Sequence, residues 1–249
     1  MLSSYTFSAY DYKVKTMRTK IIYEDNDIII VHKPAGMATQ TSHIGQQDVV
    51  SELKNYLARN DGSAVVAGSP ASGQAPYLGI VHRLDQPVEG LLVFAKSKEA
   101  AAKLTKQLSK GTLNKQYYAV VCGKPGEKSG ELVDYLIKEG NIGRIGKPEE
   151  KDAKQAILQY KVVRGLDQEC ALVDIHIETG RFHQIRLQMA HAGHPILGDL
   201  KYGSQHSIEL SWKHQVKNVA LYAYRIELHH PMTGKKLNFT IQPQLPIGT

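Results

Sequence analysis

Apolar positions along the chain recur mostly at every second residue, in short runs broken by turns, the pattern of strands rather than long helices. Residues 21–31 read as two strands around a turn at Asn26, and Pro34-Ala35-Gly36 forces a loop. Residues 48–60 switch to helical spacing, with Val49, Val50, Leu53 and Leu57 on one side. Residues 61–76, rich in Gly, Ser, Ala and Pro, read as a surface loop. Apolar strands at 79–84 and 90–95 flank a polar turn that carries Asp85. A helix at 98–110 follows, with Ser97 as its cap and Gly111 closing it. Residues 116–122, 157–163, 170–178, 219–229 and 237–242 alternate like strands. The charged, glycine-containing stretch 125–154 is expected to be a loop or small excursion. Residues 182–192 have helical periodicity closed by Gly193, and 194–203 form a Pro/Gly loop.

Strands joined by turns outnumber helices and do not alternate regularly with them. That predicts an α+β fold on a mostly antiparallel sheet. No internal repeat is visible. Residues 21–249 read as one domain, preceded by a polar and aromatic extension at 1–20 in which Met17 is an alternative start.

Charge narrows the partners. Lys and Arg number 31 against 24 Asp and Glu, a net +7. Such an excess favours a polyanion, because each neutralised phosphate releases counterions. The two cysteines, Cys122 and Cys170, lie in apolar runs with no CxxC pairing, so they read as buried free thiols in a reducing cytoplasm. No apolar run is long enough to span a bilayer, and residues 1–20 lack the apolar core of a secretory signal.

Several familiar chemistries are excluded by their motifs. There is no phosphate-binding Gly-x-x-x-x-Gly-Lys loop and no Gly-x-Ser-x-Gly elbow. The pairs His191/His194 and His229/His230 lack further ligands at a recognised spacing, so no metal site is expected. Three segments remain: Val81-His82-Arg83-Leu84-Asp85, with a carboxylate at a strand end beside an arginine; Lys115-Gln116-Tyr117-Tyr118-Ala119; and Thr179-Gly180-Arg181-Phe182-His183-Gln184-Ile185-Arg186. Taken singly, the first is compatible with a structural salt bridge and the second with core aromatics.

Together, and in this order, they resemble the RluA-type pseudouridine synthases. The resemblance runs from about residue 21 to 246 and includes Val31-His32-Lys33-Pro34-Ala35-Gly36, Gly193-His194-Pro195-Ile196-Leu197-Gly198-Asp199, Tyr202-Gly203 and the segment from Ala223 to Pro231. It implies a mixed, mainly antiparallel central sheet with flanking helices and a central active-site cleft. It implies Asp85 as the catalytic aspartate, Tyr117 as the tyrosine that stacks on the target uracil and can take part in proton removal, and Arg186 as the partner of the aspartate. Arg83, Arg181, His82, Lys33 and His183 are expected to contact RNA. No cofactor is implied; the partner is RNA, ribosomal first and transfer RNA second, and the enzyme is expected to act as a monomer. One span departs from the family: Gln86-Pro87-Val88-Glu89 stands where relatives usually have Thr-Ser-Gly or similar, while Asp85 and Gly90 keep their places.

The chemistry fits these residue types. The reaction breaks the bond between uracil nitrogen and ribose, turns the base and rejoins it through carbon, with no atoms gained or lost. A carboxylate can serve as nucleophile or base. An arginine beside it keeps it ionised. Two other readings stay open: an RNA-binding protein that has kept the fold without activity, and a hydrolase of small nucleosides.

Overall fold

The computed structural model describes residues 17–41, 43, 45–60 and 76–247. The expectations for the N-terminal extension up to residue 16, and for the loop at 61–75, lie outside these residues. Eleven strands form one sheet: β1 (Lys20–Glu24), β2 (Ile28–Lys33), β3 (Gly79–Ile80), β4 (Glu89–Ala95), β5 (Asn114–Cys122), β6 (Ser129–Glu139), β7 (Ile142–Gly146), β8 (Lys154–Gly165), β9 (Cys170–Ile177), β10 (Leu221–His229) and β11 (Lys236–Thr240). Their order is β1-β2-β4-β10-β5-β9-β8-β6-β7, with β3 beside β4 and β11 beside β10. Four helices are described: α1 (Val49–Asn60), α2 (Lys98–Ser109), α3 (Gln184–His191) and α4 (Gln205–Lys213). The expected mixed, mainly antiparallel α+β architecture is the one observed.

The apolar run of β2 is continuous because both of its faces are covered. Ile29 and Val31 enter the larger core, where α1 contributes Val49, Leu53 and Leu57. Ile28 and Ile30 enter a second core on the other face, where α2 contributes Ala100 and Leu104. Strand β4 divides likewise, with Leu92 and Phe94 on the first side and Leu91, Val93 and Ala95 on the second. Ser97 caps α2 by accepting from the Ala100 amide, as its position in the sequence predicts.

The two halves of the sheet meet at β4 and β10, a parallel pairing of only two positions, Tyr222 with Glu89 and Ala223 with Gly90. Every other strand pair among the described residues is antiparallel. Gly90 makes the join possible. Its φ is +141°, and a Cβ there would stand 2.5 Å from the Ala223 carbonyl oxygen. This thin join leaves room for a cleft beside it.

The structure departs from the expectations at three places. The stretch 125–154 is not a loop: it holds β6, β7 and the start of β8, a hairpin at the sheet edge turning at Gly140-Asn141. Edge strands bury little, so their apolar alternation is weak; the two-residue Gly-Asn turn was the available signal. Helix α4 was not foreseen, because the inward face it presents includes Ser207 and Ser211 beside Leu210. Helix α3 begins two residues later than its periodicity suggests, because His183 adopts a left-handed conformation with φ 51°.

Candidate active site

A cleft of about 690 Å³ opens beside the sheet join, walled by residues 82–88, the end of α2, the start of β5, and residues 176–185. Asp85 reaches it from the connection between β3 and β4. That connection is pinned from several sides. Thr39 Oγ1 donates to the Leu84 carbonyl at 3.0 Å and accepts from the Leu84 amide at 3.1 Å. The Val88 amide donates to the Asp85 carbonyl at 3.0 Å, closing a turn.

The departure from the family pattern is accommodated within this turn. Gln86 Nε2 donates to the Gly36 carbonyl at 3.2 Å. Glu89 is paired with His32 across the sheet at 2.9 Å. Lys33 is fully buried, and its ammonium donates to the carbonyls of Pro34, Met37 and Gln86. Burial pushes its pKa down to about 8, against the pull of Asp85 and Glu89. The expectation that Lys33 contacts RNA is therefore corrected: its donors are consumed in holding the loop 33–37 against the Asp85 turn.

Arg186, on α3, connects the cleft to the loop after the helix. Its Nε and Nη2 donate to the two carboxylate oxygens of Asp199 at 2.7 Å each, and its Nη1 reaches Asp85 Oδ2 at 3.3 Å. Asp199 is almost fully enclosed, and it also accepts from the amides of Lys201 and Tyr202. Glycine at 198 is required for this loop: φ is +77°, and a Cβ would fall 2.0 Å from the Asn218 carbonyl oxygen. Asp199 and Tyr202 stand in the matched motifs, but sequence reasoning gave them no role. A buried acid on a Pro/Gly loop was the clue.

Tyr117 lines the cleft from β5 and is 4% exposed. Burial, aided by the Asp85 charge, raises its hydroxyl pKa well above the ordinary phenol range. Its ring is available for stacking while the hydroxyl stays protonated.

His183 stands against Asp85, with Nε2 at 3.5 Å from Oδ2, and is 9% exposed. Its tautomer follows from its neighbours. The Tyr202 hydroxyl accepts from the Gly143 amide at 2.9 Å, so its single proton is free to go to His183 Nδ1 at 2.6 Å. The Nε2 proton then points at Asp85. Burial pushes the His183 pKa down to about 4, so the ring is neutral at pH 7. His82 is likewise buried, and its Nε2 accepts from the Val93 amide at 3.3 Å. Both imidazoles sit inside the wall of the cleft instead of on its outer surface.

Arg83 and Arg181 are exposed at the rim. Arg83 makes no ion pair or hydrogen bond within the described residues, whereas Arg181 donates to the Gln155 carbonyl at 2.8 Å. Lys138, from β6, lies over the Phe182 ring at 5.0 Å and adds a third cation to the rim.

Among the described residues, two clusters could in principle present three metal-ligating atoms. In one, His230 Nε2 faces Asp25 at 2.9 Å while Nδ1 accepts from the Met232 and Thr233 amides. Nε2 therefore carries the proton, and this cluster is a latch between the chain's first hairpin and its last. The other joins Asp167, Cys170 and His214, where Asp167 Oδ1 already caps the Glu169 and Cys170 amides.

Comparison with known proteins places this arrangement. The sequence profile of the RNA pseudouridylate synthases matches residues 27–191. The chain belongs to this family. It is 35% identical over 240 residues to ribosomal large subunit pseudouridine synthase D of Nitrosomonas europaea, covering 95% of this chain and 65% of that protein. It is 35% identical over 227 residues to ribosomal large subunit pseudouridine synthase C of Rickettsia bellii, covering 91% and 68%. The chain thus spans about two thirds of the length of these relatives. The fold is shared with human RNA pseudouridylate synthase domain containing 4, at a TM-score of 0.70 and 22% identity over 90% of this chain and 88% of that one.

Proposed function

We propose that this chain isomerises uridine to pseudouridine in structured RNA, with ribosomal RNA as the first substrate class and transfer RNA as the second, and that it does so in the cytoplasm. The observation that carries the reading is the meeting of Asp85 and the Tyr117 ring in one cleft, with the buried Arg186 reaching Asp85 Oδ2 at 3.3 Å. In this reading Asp85 attacks or deprotonates the nucleotide, Arg186 aims the carboxylate, and Tyr117 holds the extruded base. Stacking on one aromatic face contributes roughly 1–3 kcal/mol, which offsets part of the few kcal/mol that flipping costs. Arg83 and Arg181 supply phosphate contacts at the rim. The names of the ribosomal relatives support the first substrate class. Among the described residues, no helix is long and apolar enough to cross a membrane.

The anchoring of the Gln86–Glu89 span speaks against the inactive RNA-binding reading, because Asp85 still points into the cleft. The test is tritium release from RNA labelled at carbon 5 of uridine, using unmodified ribosomal and transfer RNA. Release by the wild-type protein and none by Asp85→Asn is the expected result. Binding without release from either pool would favour the inactive reading, and free uracil as product would favour a hydrolase.

A further inference from the structure

Lys115 is a charged group of the cleft that the reading above leaves unused. It lies two residues before Tyr117 on β5, so both side chains leave the same face of the strand, about 7 Å apart. That spacing is comparable to the width of a pyrimidine. Lys115 lines the cleft, and among the described residues it has no carboxylate partner and no hydrogen bond. Burial alone pushes its ammonium down to about pKa 8, so it is an unpaired cation held at a cost to the fold.

Beside it is a second donor without an acceptor. His82 Nε2 accepts from the Val93 amide, so Nδ1 carries the proton, and Nδ1 is buried without a partner. The field of Lys115 helps to keep this imidazole neutral. Two donors lining one cleft, both without an acceptor among the described residues, call for an acceptor from outside the chain.

The proposed reaction supplies one. When the bond between ribose carbon 1′ and uracil nitrogen breaks, its electron pair leaves with the base, and the detached uracil carries a negative charge spread over nitrogen 1, the two carbonyl oxygens and carbon 5. We propose that Lys115, backed by the Nδ1 proton of His82, is the electrostatic cradle that stabilises the uracil anion while it turns on Tyr117. This rests on the isomerase reading. A charge placed in advance where negative charge develops, in a site closed to water, is the most effective use of a cation in catalysis. Arg83, Arg181 and Lys138 sit at the rim, where phosphates pass, and Lys115 is the cation set inside it.

The test compares Lys115→Met and Lys115→Arg with wild type in single-turnover tritium release, RNA binding and thermal melting. Wild-type turnover is the control on the isomerase reading; its absence would sink that reading before Lys115 is at issue. Given turnover, Lys115→Met is expected to lose on the order of 100-fold in kcat. Its KM and RNA Kd should stay within about twofold, and its Tm should rise because an unpaired, half-buried charge has been removed. Lys115→Arg should recover most of the rate. The wild-type kcat/KM profile should fall above about pH 8, and Lys115→Arg should move that limb upward. From one side the cleft presents His82, Arg83 and Asp85, and from the other Lys138, His176, Glu178, Arg181 and His183; none pairs with Lys115. An unchanged kcat in Lys115→Met would overturn the proposal. So would weakened binding with a salt slope reduced by about one, which marks a phosphate contact. A lowered Tm with activity lost in proportion would make Lys115 structural and equally overturn it.

Discussion

Arg186 gives Asp199 two hydrogen bonds and Asp85 only one. The bidentate pair with Asp199, at 2.7 Å on both arms, fixes the guanidinium plane, and the remaining nitrogen reaches Asp85 at 3.3 Å. Asp199 thus positions the arginine, and the arginine then aims the candidate catalytic carboxylate. Asp199→Asn removes the charge but keeps the shape. It should destabilise the protein by about 3 kcal/mol, since it leaves a buried arginine with a single, longer-range counter-charge. Turnover should fall with KM little changed. Denaturant unfolding and tritium release measure the two effects separately, and unchanged values in both would remove Asp199 from this role.

Tyr117 offers a ring and a hydroxyl, and two substitutions separate them. Tyr117→Phe should leave RNA affinity within about twofold, because the stacking face survives. Tyr117→Ala should weaken binding by roughly 1–3 kcal/mol. Filter binding to an oligonucleotide of the preferred RNA decides. Any fall in turnover in Tyr117→Phe alone reports the hydroxyl, which remains protonated near neutral pH.

The rim arginines should behave as phosphate contacts. Arg83→Gln and Arg181→Gln should each weaken binding across RNA sequences and reduce the slope of log K against log salt by about one. Arg83 is expected to have the cleaner effect, because Arg181 also donates to the Gln155 carbonyl and its loss loosens residues 155–184. An unchanged salt slope in Arg83→Gln would remove it from the RNA interface.

His183 makes stability depend on acid. Its pKa is about 4 in the folded protein, against 6.5 for the ordinary side chain. Below about pH 6.5 the unfolded chain takes up a proton that the native state refuses, so this site costs stability progressively as pH falls through 4. His183→Gln does not titrate. Between pH 7 and pH 4, wild type should lose about 2–3 kcal/mol more than His183→Gln. Urea unfolding at several pH values tests this, and parallel losses in the two proteins would mean that His183 is protonated in the fold.

The amino-acid sequence by itself determined the elements with strong local patterns. The stretch 21–31 announced two strands around a turn, and Ser97 announced the start of α2. The order of motifs named the family and drew Asp85, Tyr117 and Arg186 from a chain of 249 residues. Periodicity could do this because it reflects which face of an element avoids water, and that is set within a few residues.

Partnership was decided only by the tertiary structure. Asp85 and Arg186 are 101 residues apart, and their contact depends on where β4 and β10 join and where α3 starts. Lys33, expected from the family motif to contact RNA, is instead enclosed among three carbonyls by the packing of the Asp85 turn. The edge hairpin β6–β7 was missed because a strand that buries little carries little pattern, yet its Gly143 amide orients Tyr202 and through it His183. Side-chain identity sets what a group can donate or accept. Which group it meets depends on sheet register and chain crossing, and no local stretch of sequence encodes those.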